Sequence, residues 1–378
     1  MGAVTVFILH PPLPAGSGPL AASLDAARRG LAARHVAGFR AAGAAEIRVV
    51  EEQGDETFGA RLRRLGGSAA TRGVVVLGSG SLALARAADY RAFVAAAASD
   101  GPAALANNRY SADAVALSGA GILRDLPDLP TDNGLPRWLE EVAGYRVLDL
   151  RRRPRLAFDL DSPADVVLLG GALPAAAAGS QLPTRLAALR SVMADRRGEL
   201  TVAGRTSAST LAVLERRAAC RVRALVEERG LRAASRLAQA HHGVVNPRLL
   251  VPPAAGPPRP AGGPPPPRPP ASILGLLLDR EGAGALGRIA ARLGDAAVVD
   301  SRVLLAHRLG ADETAWPDAE DRFASDLLLP DRIGDPWLRE LTAAAVGAPI
   351  PVLLGGHTLV GPGLRLMAEG RLPPGTRA

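Results

Sequence analysis

No lysine occurs in this 378-residue chain; all 45 basic residues are arginine. That absence excludes a lysine-bearing phosphate loop, a Schiff-base lysine and a lysine general base. A single cysteine, Cys220, leaves no partner for an intramolecular disulfide and no multi-cysteine metal cluster. Aromatic residues make up only 3% of the chain, so its cores must be built from Ala, Leu and Val. The three tryptophans are too scattered to form a base-stacking platform. No uninterrupted apolar run approaches the ~20 residues needed to span a bilayer. The start, Met1 to His10, lacks the basic segment and apolar length of a secretory signal. A cytoplasmic protein without a membrane partner is expected.

What is present is apolar and strongly basic. Hydrophobic residues reach 48%, and the mean hydropathy is +0.12, as in folded globular proteins. The isoelectric point near 10.9 does not by itself indicate nucleic acid, because an Arg-only, Ala-rich composition reads as compositional bias. Residues 181–272 hold 15 arginines against 5 acidic residues, so any anionic partner should meet the middle of the chain.

At this length two domains are expected, residues 1–172 and residues 181–370, the second interrupted by a Pro/Gly-rich linker at 254–271. In the first, apolar and β-branched runs at 4–9, 47–50, 73–77, 115–117 and 146–150 predict strands. Helices are predicted over 20–43, 84–98 and 163–169, the last capped by Ser162 with Pro163 in its first turn. Alternation of strands and helices implies an α/β fold, a mostly parallel sheet covered on both faces, followed by a smaller α/β domain.

The second half predicts strands at 199–203, 220–226, 273–278, 297–300 and 350–354, with helices at 206–217, 231–240, 284–293 and 302–309. The Pro/Gly-rich stretch reads as an exposed spacer, either a boundary between domains or an insertion within one sheet; the insertion is preferred, since neither flank alone has enough strands for a core. Three polar clusters follow strands: Arg205-Thr206-Ser207, Asp300-Ser301-Arg302 and Gly355-Gly356-His357-Thr358. Ligands of open α/β sheets sit beyond the carboxyl ends of strands, so these clusters can converge on one site or be ordinary caps. Asp279 and His307 are further candidates. His241-His242 reads as surface, because adjacent helical residues diverge.

Three stretches of the first half resemble the nucleotide-diphosphosugar-transferase superfamily, which includes molybdenum-cofactor and phospholactate nucleotidyltransferases. They are the opening strand and loop, Val6-Phe7-Ile8-Leu9-His10-Pro11-Pro12; the strand Gly73-Val74-Val75-Val76-Leu77-Gly78-Ser79-Gly80; and Asp159-Leu160-Asp161-Ser162-Pro163-Ala164-Asp165, similar to a terminal Asp-x-Asp-[Thr/Ser]-Pro-x-Asp signature. The resemblance covers about residues 1–170. It implies that Gly16, Ser17, Gly18 and Ser79 contact an NTP, and that Asp159 and Asp161 hold Mg²⁺. Asp132, Asn133 and Arg137 lie where relatives recognise an acceptor.

The residues allow a plainer reading beside it. Asn107, Asn108 and Arg109 open a polar stretch ahead of a strand, able to read a base or sugar or to form a turn. The loop Pro14-Ala15-Gly16-Ser17-Gly18-Pro19 has the glycines of a phosphate loop but no base before Arg28 and Arg29. Gly78-Ser79-Gly80-Ser81 lacks the strand-end aspartate that the resemblance requires. Asp161, Ser162 and Asp165 also suit a helix cap, a role compatible with metal binding. No Gly-x-Ser-x-Gly elbow occurs, so no catalytic residue is assigned. Two functions are expected from this: transfer of a nucleotidyl group from an NTP to a phosphorylated or sugar-like acceptor, or non-catalytic binding of a nucleotide or phosphorylated metabolite by a regulator. Nothing in the sequence sets an oligomeric state.

Overall fold

The computed structural model describes residues 3–52, 56–67, 72–227, 271–310 and 312–372. The chain divides into two compact units. Among the described residues, the first takes those up to Gly16 and Leu24–Leu160, and the second takes Ser17–Ser23 and those from Asp161 onward. Both are α/β. The Pro/Gly-rich stretch apart from Ala271, the helix expected over 231–240, and His241-His242 lie outside the described residues.

The first unit is built on a six-stranded sheet. Its strands are β1 (Val4–Leu9), β2 (Glu46–Val50), β3 (Gly73–Gly78), β4 (Ala103–Ala106), β5 (Ala114–Ser118) and β6 (Arg146–Asp149). Their order is β2-β1-β3-β5-β4-β6, all parallel except β5, which runs antiparallel to β3 and β4. Side chains divide between the faces with period two. Val74 and Val76 join a core with Trp138 and Leu139, while Val75 and Leu77 join one with Phe39 and Phe93. A sheet apolar on both faces must be covered twice. The unit's α-helices are α1 (Pro19–Ala41), of which the part from Leu24 belongs to this unit, α2 (Phe58–Gly67), α3 (Ala87–Ala97) and α4 (Leu135–Glu141).

The antiparallel strand follows from a tight return. Asn107, the residue after β4, bonds its backbone N–H to Ala114 O, and its Oδ1 accepts from the N–H groups of Asp113 and Ala114. One amide side chain thus closes the reversal that brings β5 back beside β4. β4 itself, Ala103-Ala104-Leu105-Ala106, carries no β-branched residue and gives no strand signal in the sequence.

The second unit has a four-stranded parallel sheet of β7 (Glu199–Gly204), β8 (Arg221–Val226), β9 (Ala296–Asp300) and β10 (Val352–Gly355), in the order β10-β9-β7-β8. Strands from both sides of the Pro-rich stretch therefore share one sheet. Helices α5 (Pro163–Leu168), α6 (Leu182–Ala194) and α7 (Ala208–Arg217) precede that stretch in sequence.

One expected element is corrected. Residues 273–278 are not a strand but the start of a helix, Ile273–Glu281, capped by the Ser272 hydroxyl on the Gly275 N–H. Leu274, Gly275 and Leu278 are buried, whereas Ile273, Leu276 and Leu277 are exposed. That spacing is helical, and the unbroken apolar run concealed it. No helix among the described residues is long and apolar enough to cross a membrane.

Candidate functional site

In each sheet the strand order reverses at an identifiable point, and ligands of open α/β sheets sit beyond the carboxyl ends of the strands there. In the first unit β1 lies between β2 and β3, so the crevice is at Leu9-His10 and Gly78-Ser79. In the second unit β7 lies between β8 and β9, so the crevice is at Gly204-Arg205 and Asp300-Ser301.

At the first crevice the strand ends are laced together. Ser79 N–H donates to Leu9 O at 2.9 Å, and Ser79 Oγ lies 2.9 Å from His10 Nδ1. His10 Nε2 lies 3.1 Å from Asp25 Oδ1 on α1. Which of His10 Nδ1 and Ser79 Oγ donates is set by the imidazole tautomer. His10 and Ser79 are both buried. The hydroxyl that replaces the expected aspartate is therefore committed to an internal pair. Spacing in the sequence gives no signal for the role of His10, because Ser79 stands 69 residues from it.

Asp159 is buried, and its Oδ1 accepts the N–H of Leu82 at 3.0 Å. Leu82 has φ 53°, a conformation that leucine avoids. Two backbone bonds flank this contact, Leu160 N–H to Gly80 O and Ala83 N–H to Phe158 O. Asp161, in the second unit, lies 3.7 Å from His357 through Oδ2 and Nδ1. Ser162 and Asp165 form the cap expected for α5. Ser162 Oγ accepts from Ala164, and Asp165 Oδ2 accepts from the backbones of Asp161 and Ser162. Burial, then the charges of Asp161 and Asp326, push the Asp165 carboxyl well above the usual range, against the lowering effect of those two N–H bonds. No group of three or more His, Cys, Asp or Glu side chains among the described residues is arranged to hold a metal ion. Of the two carboxylates the resemblance assigns to Mg²⁺, Asp159 accepts a backbone amide and Asp161 stands beside His357.

The glycine loop meets a carboxylate. Gly16 turns with φ +79°. Within the second unit, Glu320 Oε1 accepts the Leu20 N–H at 2.9 Å and Oε2 accepts the Ala21 N–H at 3.0 Å. A Cβ added at Gly18 would fall on that carboxylate. Ser17 belongs to the same segment. These first-turn amides lack intrahelical acceptors and favour an anion, and Glu320 supplies one.

The remaining assigned residues are distributed more widely. The Asn107 side-chain N–H₂ donates to Asp113 and to Leu156 O. Asn108 Oδ1 accepts from Tyr110 N–H in a local turn. Arg109 pairs with Glu140 of α4, and Arg137 binds Glu141 one turn along the same helix at 2.9 Å. Asp132 and Asn133 lie in a 3₁₀ turn leading into α4. Arg109 thus meets α4, but Asn107 closes the β4–β5 reversal instead.

At the second crevice the three clusters do converge. Asp300 ends β9 and is fully buried at its carboxylate, which takes Arg205 Nε at 2.6 Å and a second guanidinium nitrogen at 3.0 Å. Its Oδ1 also caps the next helix through Arg302 N–H. Burial works against charge on Asp300, but Arg205, Arg302 and His357 outweigh it and hold the carboxyl below its ordinary value. Arg302 in turn forks onto the buried Asp326, with one bond at 2.6 Å. Ser301 Oγ donates to Gly355 O at 3.3 Å, tying β9 to the end of β10. His307 Nε2 pairs with Asp279 at 2.8 Å, and its Nδ1 accepts the Ser272 N–H, which anchors the helix Ile273–Glu281.

No protein-family model matches the chain, and no curated protein matches it.

Proposed function

We propose that the chain binds a nucleotide or phosphorylated metabolite at the amide-lined start of α1, as a regulator rather than as a nucleotidyl-transferring enzyme. The observation that carries the reading is Glu320, whose two oxygens accept two successive helix N–H groups. A carboxylate in that position stands in for two oxygens of a phosphate, for which such a helix start is suited. Binding of a phosphorylated ligand is then competitive with Glu320.

The absence of transfer chemistry is supported by Asp159 and Ser79. Phosphoryl and nucleotidyl transfer need metal-held charge neutralisation on the phosphates. Asp159 is bound to a backbone amide, and Ser79 has no carboxylate to offer.

Titration of GTP, CTP and ATP into the full chain, with and without Mg²⁺, tests this directly. Binding is expected to be independent of Mg²⁺ and to tighten about tenfold in Glu320→Ala, where the competing carboxylate is gone. Pyrophosphate release with a sugar or phosphorylated acceptor would restore the transferase reading. Failure of all three nucleotides to bind either protein would sink both.

A further inference from the structure

The carboxyl edge of the second sheet has features that no role so far accounts for. Arg205, Asp300 and His357 come together there from the ends of β7, β9 and β10. Gly356 lies against Arg205, since a Cβ added at Gly356 would be 3.9 Å from its guanidinium. The segment after β10 continues into a π-helical turn, Leu359–Gly363, whose Gly361 lies against the Arg205 carbonyl. Such turns often mark functional positions.

Two hydroxyls in this place are buried and have no hydrogen-bond partner among the described residues, Thr206 Oγ1 and Thr358 Oγ1. Thr206 is 5% exposed and Thr358 1%. Buried hydroxyls are normally bonded, and a lone one is costly. Here two occur at the same sheet edge, one directly following Arg205 and the other His357, both of which reach solvent. The Arg205 side chain is 15% exposed and that of His357 40%.

Each of the two unpartnered hydroxyls can donate its proton to a bound acceptor oxygen. α7 begins just after Thr206, with Ser207 capping it through the Thr210 N–H, so its first amides face the same edge. Asp300 is saturated by Arg205 and Arg302. Asp161 is the opposing charge at the rim and is paired with His357.

We infer that this edge is a second ligand site, distinct from the start of α1, and that it takes the phosphate group of a phosphate monoester. The phosphate oxygens accept from the Thr206 and Thr358 hydroxyls, from the α7 amides and from the His357 imidazole.

The test uses the full chain in a phosphate-free buffer with inorganic phosphate as the probe, followed by calorimetric titration and thermal unfolding. Thr206→Val and Thr358→Val remove only the hydroxyls. Each variant is expected to melt no lower than the parent without phosphate, and to bind phosphate about tenfold more weakly. His357→Gln, at a partly exposed position, is expected to weaken binding without touching the interior. The proposal is overturned if phosphate does not bind. It is equally overturned if binding is unchanged in all three variants, or changes only in Glu320→Ala, which places the phosphate at α1. A valine variant that melts markedly lower without phosphate also overturns it, because the hydroxyl then has a partner within the protein.

Discussion

Asp159 and Leu82 are 77 residues apart, yet the carboxylate of one accepts the amide of the other at 3.0 Å. The bond holds a leucine at φ 53° on the segment leaving β3. A non-glycine residue in that region costs about 1–3 kcal/mol and persists only where its surroundings enforce it. Asp159 is part of that enforcement, so its charge serves the backbone.

Replacement of Asp159 should therefore register in stability. Asp159→Ala leaves the Leu82 N–H buried and unsatisfied, at a cost of about 1–3 kcal/mol. Asp159→Asn keeps an acceptor oxygen and should cost less. Urea unfolding of both variants measures the difference, while nucleotide affinity with Mg²⁺ should stay at the parental value. A large Mg²⁺-dependent loss of affinity in the asparagine variant, at normal stability, would return the residue to a metal role.

His35 makes the first unit sensitive to acid. Its Nε2–H donates to Ser81 O at 2.9 Å, and its Nδ1 lies 3.0 Å from the Tyr90 hydroxyl. Burial is the main cause that lowers its pKa to about 4; the Ser81 bond opposes it and Arg34 adds to it. Folding then holds off a proton that the unfolded chain takes up below about 6.5. Stability should fall as pH drops from about 6.5 to about 4 and level off below, by roughly 3 kcal/mol over the window. Denaturant midpoints at intervals across that range give the curve, and His35→Gln should flatten it.

Asp165 has the opposite sign. Its carboxyl pKa is raised in the folded chain, so its contribution is whole below the unfolded value, about 4, and is lost as pH rises through the folded value. Asp165→Asn keeps an oxygen for the N–H groups of Asp161 and Ser162 and removes the buried charge. Its melting temperature should exceed that of the parent at pH 8 and approach it at pH 4. A variant less stable at pH 8 would mean that the carboxylate is needed as a charge beside Arg302.

Gly204→Ala tests the strand-end clasp of the second unit. Gly204 has φ +125°, and an added Cβ would overlap the Cβ of Asp300. Backbone strain and overpacking together should cost roughly 2–5 kcal/mol. The loss should be accompanied by weaker phosphate binding, because Arg205 and Asp300 can no longer close on each other. Unchanged stability would mean that the two strand ends are free to separate.

Much of the fold was legible because strands rich in valine and isoleucine announce themselves locally. Runs such as Val74-Val75-Val76 need a neighbour on each face, and only a covered sheet provides both. Ser162-Pro163 and Asp165 marked a helix start through bonds that span two to four residues. β4 went unseen because its alanines pack well only once β5 and β6 flank it. The helix Ile273–Glu281 was misread because an apolar run without polar breaks fits either period. The sequence left open whether Arg205, Asp300 and His357 converge or cap separate turns, since the carboxyl ends of parallel strands share one edge of the sheet but spacing does not say which side chains meet there.

The sequence by itself therefore determined the α/β class, most strands and the cap at Ser162, all consequences of short-range periodicity and local bonding. Only the tertiary structure decided how the polar groups are used. Glu320 reaches the Leu20 amide across 300 residues, Ser79 meets His10 across 69, and Arg205 meets Asp300 across 95. Buried charges find their partners wherever the packed chain brings them. Spacing along the sequence carries no record of which group that partner will be.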